Sequence, residues 1–99
     1  MIEFQEINYL ASSILPSLIH ELLPNGRREG NEWVAINPTR NDLKLGSFKI
    51  NLITGKWSDF ATNDKGGDII SLYAYIKKLS QSEAAKLLAI KLGVRDEQR

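Results

Sequence analysis

NPTRNDLKLGSFKINLITGKWSDFATNDKGGD, residues 37–68, is the stretch on which the fold of this 99-residue chain turns. Within it Ser47 to Leu52 alternates polar and apolar side chains, which places Phe48, Ile50 and Leu52 on a buried face and Lys49 and Asn51 on an outward one. Thr54-Gly55 marks the following turn. Threonine resists the positive φ that a two-residue turn requires, so the pair predicts a three-residue loop with Gly55 left-handed and a bulge. That loop sets Phe60 beside Phe48 inside, and Trp57 and Asp59 outside with Lys49 and Asn51. A shift of one residue exchanges the two sets. Trp57 is therefore core filler in one register and an exposed stacking platform in the other.

Outward from the hairpin, the flanks read as helices. Ile7, Leu10, Ala11, Ile14, Leu15, Leu18, Ile19 and Leu22 recur at helical spacing, predicting an amphipathic helical segment over residues 4–23. Pro16 interrupts it, so a kink or two shorter helices is expected, with Ser12 or Ser13 near the break. Arg27 to Asn31 reads as a charged turn into a strand, Glu32 to Ile36, which Pro38 ends. Asn63 to Gly67 has loop composition. Asp68 is a natural N-cap for a helix from Ile69 to Leu79, and Ser80 with Glu83 supplies a capping box for a second helix that Gly93 stops. The second helix begins Gln81-Ser82-Glu83, which does not suit a groove-reading helix of a helix-turn-helix. No internal repeat or domain boundary is read. The expectation is one α+β domain over residues 1–99: a small antiparallel β-ribbon over 32–62, an N-terminal helical segment and a C-terminal helix pair over 69–92.

Composition narrows the chemistry. With no cysteine and one histidine, His20, zinc cannot be held by nitrogen and sulfur ligands. No nucleophile–base set is legible, and Asp59, Asp64 and Asp68 lack the company of a catalytic magnesium cluster. No apolar run is long enough to span a bilayer and no signal peptide is recognisable, so the expected address is cytoplasmic. The net charge is +1 but uneven: Glu3, Glu6 and Glu21 are the charged residues of the first 24 positions, and all cations follow from Arg27 onward. Arg40 reads equally as a solvated loop charge and as an anchor for a carboxylate or phosphate.

The order of these features resembles the N-terminal zinc-ribbon domain of bacterial primases and of phage and plasmid primase-helicases. That family carries Cys-Pro-x-His, a Ser-Phe strand and turn, an aromatic residue ahead of Cys-x-x-Cys, and Gly-Gly-Asp opening a helix. Here stand Asn37-Pro38-Thr39-Arg40, Gly46-Ser47-Phe48, Thr54-Gly55, Trp57 ahead of Asp59-Phe60-Ala61-Thr62, and Gly66-Gly67-Asp68-Ile69-Ile70-Ser71-Leu72. The likeness runs from Trp33 to Gly93 and lies in the ordered set. It departs at the ligands, where Asn37, Arg40, Asp59 and Thr62 replace the family's cysteines and histidine. The resemblance implies the ribbon fold without the ion, with Arg40 and Asp59, aided by Asn37 and Thr62, as the structural replacement of the zinc cross-link.

The resemblance further implies a non-catalytic module that engages single-stranded template DNA in a phage or mobile-element replication protein, beside a primase catalytic domain or a replicative helicase. The expected nucleic-acid contacts are Arg27, Arg28, Arg40, Lys44, Lys49, Lys56, Trp57 and Lys65, which would supply a basic track and an aromatic face. No cofactor, metal or membrane is expected. The competing expectation is a protein-interaction module that docks a helicase or polymerase through its helices.

Overall fold

The computed structural model describes residues 3–40 and 46–94. Among these residues, four helices and a five-stranded antiparallel sheet make an α+β fold in which the strands follow one another as a meander, β1-β2-β3-β4-β5. The N-terminal helical segment is two helices, α1 (Phe4–Ser12) and α2 (Leu15–Leu22), with Pro16 in the first turn of α2, where its missing N–H costs nothing. The sheet comprises β1 (Arg27–Glu29), β2 (Glu32–Ala35), β3 (Phe48–Asn51), β4 (Trp57–Asp59) and β5 (Asp64–Gly66). Helices α3 (Ile69–Lys77) and α4 (Gln81–Leu92) complete the chain. No helix among the described residues is long and apolar enough to cross a membrane.

Both C-terminal helices start where their polar residues dictate. The Asp68 carboxylate accepts from Ser71 N at 2.8 Å, and the Ser80 hydroxyl accepts from Glu83 N at 3.0 Å while the Glu83 carboxylate accepts from Ser80 N. Lys78 and Gly93, both left-handed, end the two helices. The second Asp68 oxygen accepts from Asn8 Nδ2 at 3.1 Å, so one carboxylate both caps α3 and ties α1 to it.

The core lies between the helices and one face of the sheet. Ile7, Ala11, Leu15, Leu18, Ile19 and Leu23 from the N-terminal helices meet Phe48, Ile50 and Trp57 from the sheet, and Ile69, Leu72, Tyr73 and Leu88 from α3 and α4. Trp57 packs on Tyr75 with ring centroids 4.5 Å apart and donates its indole N–H to Ser71 Oγ at 2.9 Å. Trp33 donates to Leu23 O at 2.9 Å and meets His20 edge-on, which fastens the end of α2 to the sheet. The Tyr73 hydroxyl is buried without a hydrogen-bond partner, and burial, with Glu21 nearby, pushes its pKa up to about 12.

The sheet differs from the expected ribbon in extent. Arg27–Glu29 is a strand rather than a charged turn, and Asp64–Gly66 is a strand rather than loop. Both are three-residue edge strands of charged and glycine residues, a composition that blunts an exposed edge and hides the strand signal together.

The sheet also differs in register. Phe48 faces Asp59 and Ile50 faces Trp57, so Trp57 and Asp59 are inside and Phe60 is outside, 69% exposed. The cause is a loop one residue longer than Thr54-Gly55 suggested. Asn51 Oδ1 accepts from Ile53 N and Thr54 N, Gly55 N donates to Asn51 O, and Gly55 takes φ +80°, so the loop spans Leu52, Ile53, Thr54 and Gly55. The next loop repeats this design. Asp59 Oδ1 accepts from Ala61 N, Asn63 N donates to Asp59 O, and Asn63 takes φ +66°. In each loop the threonine Oγ1, of Thr54 or Thr62, accepts a main-chain N–H two residues on, at 3.2 Å. Asn51-Leu-Ile-Thr-Gly55 and Asp59-Phe-Ala-Thr-Asn63 are thus one loop conformation used twice.

Candidate nucleic-acid interface and the clamp beneath it

Asn37 and Asp59 are fully buried polar side chains, and each is saturated. Asn37 Nδ2 donates to Asp59 Oδ2 and to the Tyr75 hydroxyl, both at 2.8 Å, while Asn37 Oδ1 accepts from Thr39 N and Thr39 Oγ1. Arg40 Nη1 reaches Asp59 Oδ2 at 3.1 Å and Oδ1 at 3.3 Å. The Tyr75 hydroxyl donates to Asp64 Oδ2 at 2.7 Å. One cluster therefore joins the loop after β2 to β4, to the start of β5 and to α3.

Burial pushes the Asp59 carboxyl upward, but donation from Asn37, Ala61 N, the Ser47 side chain and Arg40 outweighs it. The net pKa lies below the ordinary carboxylate value, so the group is ionised at neutral pH. A pair of this kind is worth a few kcal/mol gross and less net, against about 10–16 kcal/mol for a structural zinc.

Of the residues expected at the missing metal, the structure brings Asn37, Arg40 and Asp59 together and leaves Thr62 aside, since its exposed hydroxyl serves its own loop. Sequence reasoning did not include Thr39, Asp64 and Tyr75 in this cluster. Tyr75 lay hidden because it stands outside the apolar stripe of α3 and its polar partners, Asn37 and Asp64, lie on other elements. Among the described residues no group of three or more His, Cys, Asp or Glu stands ready to hold a metal ion.

The opposite face of the sheet carries the cations. Cross-strand register runs Arg27 to Val34 to Lys49 to Ser58 to Lys65, one residue from each strand, on the side away from the helices, with Val34 buried between the exposed Arg27 and the half-buried Lys49. Phe60 sits diagonally beside this row, with the Lys49 ammonium 6.0 Å from its ring centroid. Arg27 pairs with Glu29 at 2.8 Å, an exposed contact of little strength. Arg28 folds onto Gly30 O and belongs to the other face, and Lys56 is exposed at the end of its loop.

Besides Arg28, two of the expected contacts change. Trp57 is 5% exposed and cannot stack on a base; Phe60 holds the outward aromatic position instead. Arg40 is engaged with the buried Asp59. Lys44 lies outside the described residues.

No protein-family model matches the chain, and no curated protein matches it. The functional reading therefore rests on the geometry and on the ordered motif set.

Proposed function

We propose that this chain is a nucleic-acid-binding module that engages single-stranded template DNA through the outer face of its sheet. In this reading it belongs to a cytoplasmic primase-type replication protein of a phage or mobile element and performs no catalysis itself. A primase catalytic domain or a replicative helicase would be its working neighbour. The observation that carries the reading is the exposed Phe60 ring beside Lys49, with Arg27 and Lys65 in the same row. Aromatic faces interleaved with cations are what a single strand requires, since bases stack on any π-face and phosphates follow positive charge. Support also comes from the likeness in motif order, and from Arg40, Asn37 and Asp59 meeting at positions where the resembled family has metal ligands.

Anisotropy of a fluorescein-labelled oligothymidylate tests the proposal. Binding is expected to weaken as salt rises, and Phe60→Ala to cost about tenfold in affinity, within the ~1–3 kcal/mol of one stacked base. Absence of binding at low salt would remove it. The second reading, a docking module for a helicase or polymerase, is favoured by Ile90 and Tyr9, each 76% exposed on the helical side. It predicts that Ile90→Asp abolishes partner capture while oligonucleotides never bind.

A further inference from the structure

Resting on the reading of the outer face as a single-strand site, we propose that the bound strand crosses the sheet perpendicular to the β-strands. Its phosphates would follow Arg27, Lys49 and Lys65, and its bases would turn toward Phe60. The register places the three cations in one transverse row from the first edge strand through the central strand to the last. Adjacent strands lie ~4.8 Å apart, so the row spans roughly 19 Å with its cations at about 10 Å intervals. Among the described residues no comparable line of charge runs lengthwise along β3, where the outward neighbours of Lys49 are the uncharged Ser47 and Asn51.

The two sides of the row differ, and the difference orients the ligand. On one side lies the next transverse row, with Glu29 opposite Glu32, which repels phosphate at the β1–β2 end, and Asn51 opposite the exposed Lys56 at the other. On the other side lies Phe60, reached from β4 two residues beyond Ser58. A backbone held on the cations is bordered near Arg27 by carboxylates on one flank, and near Lys49 by an aromatic ring on the other. Bases therefore have one favourable direction. A footprint of about four nucleotides follows, at the low end of the range for single-strand platforms, with bases unstacked from their ~3.4 Å rise.

The test uses the full chain, labelled oligothymidylates of increasing length, and variants at the two opposite edges of the sheet. Affinity should climb steeply to about four nucleotides and then grow only as the number of registers increases. Arg27→Ala and Lys65→Ala should each reduce the slope of log K against log salt by about 0.7, the value for one phosphate contact on a single strand. Glu29→Gln, which frees Arg27, should tighten binding severalfold. All three positions are exposed, so an unchanged thermal midpoint should accompany each variant. If Phe60→Ala and Lys49→Ala weaken binding while both edge variants match the parent, the transverse path is wrong and the single-strand reading stands. If the parent binds no oligonucleotide at low salt, both fall together.

Discussion

Asp59 combines two duties that conflict. Its Oδ1 organises the β4–β5 loop by accepting from Ala61 N, while both oxygens receive Arg40 and Oδ2 also receives Asn37. A carboxylate so deeply buried is tolerated only because every lone pair facing the interior is used. The consequence for pH follows from the sign of its shift. The folded pKa lies below the ordinary 3.8, so the stabilisation is complete above that value and is lost as pH falls through the lower folded one. Urea unfolding of the parent should therefore lose stability on acidification below about pH 4, and Asp59→Asn should flatten that part of the profile. At neutral pH the same substitution should cost about 2–4 kcal/mol, because it removes the charge that Arg40 faces and forces an amide into an acceptor-only site. An unchanged midpoint at neutral pH would show that the cluster holds nothing.

At the level of elements, what was legible in the sequence is what short-range chemistry determines. Asp68 and Ser80 announce their helices because a side-chain oxygen three residues before a free N–H has one obvious use. The break at Pro16, the inward Phe48 and Ile50, and the Gly93 stop are legible for equally local reasons. The hairpin register was not, because it depends on Asn51 and not on Thr54-Gly55 alone: an asparagine that collects two loop N–H groups lengthens the loop by one residue. Reading Asn51-x-x-Thr-Gly55 beside Asp59-x-x-Thr-Asn63 as one motif would have fixed both loops, placed Trp57 inside and Phe60 outside, and relieved Thr62 of its supposed part in the clamp. The edge strands stayed hidden because their pairing comes from neighbours and not from their own residues.

The glycine pair shows how tertiary packing overrides such local signals. Gly66-Gly67 reads as a flexible turn, yet the two positions differ. A Cβ on Gly66 would overlap Ser71 Oγ and the Trp57 indole nitrogen, whereas one on Gly67 meets nothing within 4 Å. Gly66→Ala is expected to destabilise by about 1–3 kcal/mol by displacing the Trp57–Ser71 hydrogen bond. Gly67→Ala should be neutral or stabilising by up to about 1 kcal/mol, through the unfolded chain. Denaturation midpoints of the two variants, measured side by side, check the contrast.

Across the whole molecule, the sheet does not make a core without the N-terminal helices. Ile7, Leu15, Leu18, Ile19 and Leu23 are all at most 4% exposed and belong to the same cluster as Phe48, Ile50, Leu72 and Tyr73. At ~1.5–3 kcal/mol for each large aliphatic side chain buried, these five contribute roughly 7–15 kcal/mol gross. That equals the whole net stability, ~5–15 kcal/mol, of an ordinary domain. The clamp around Asp59 joins the loop after β2 to β4, β5 and α3, and does not offset such a loss. A chain beginning at Asn25 should therefore retain some helical far-UV signal from α3 and α4, whose capping boxes are self-contained. It should show no near-UV signal from Trp33 and Trp57 and no cooperative thermal transition. Trp33 reports most directly, because its indole partner, Leu23 O, leaves with the deleted segment. A cooperative transition in that shortened chain would mean that the ribbon with its clamp is a self-sufficient unit, and that the N-terminal helices are an addition to the fold and not half of its core.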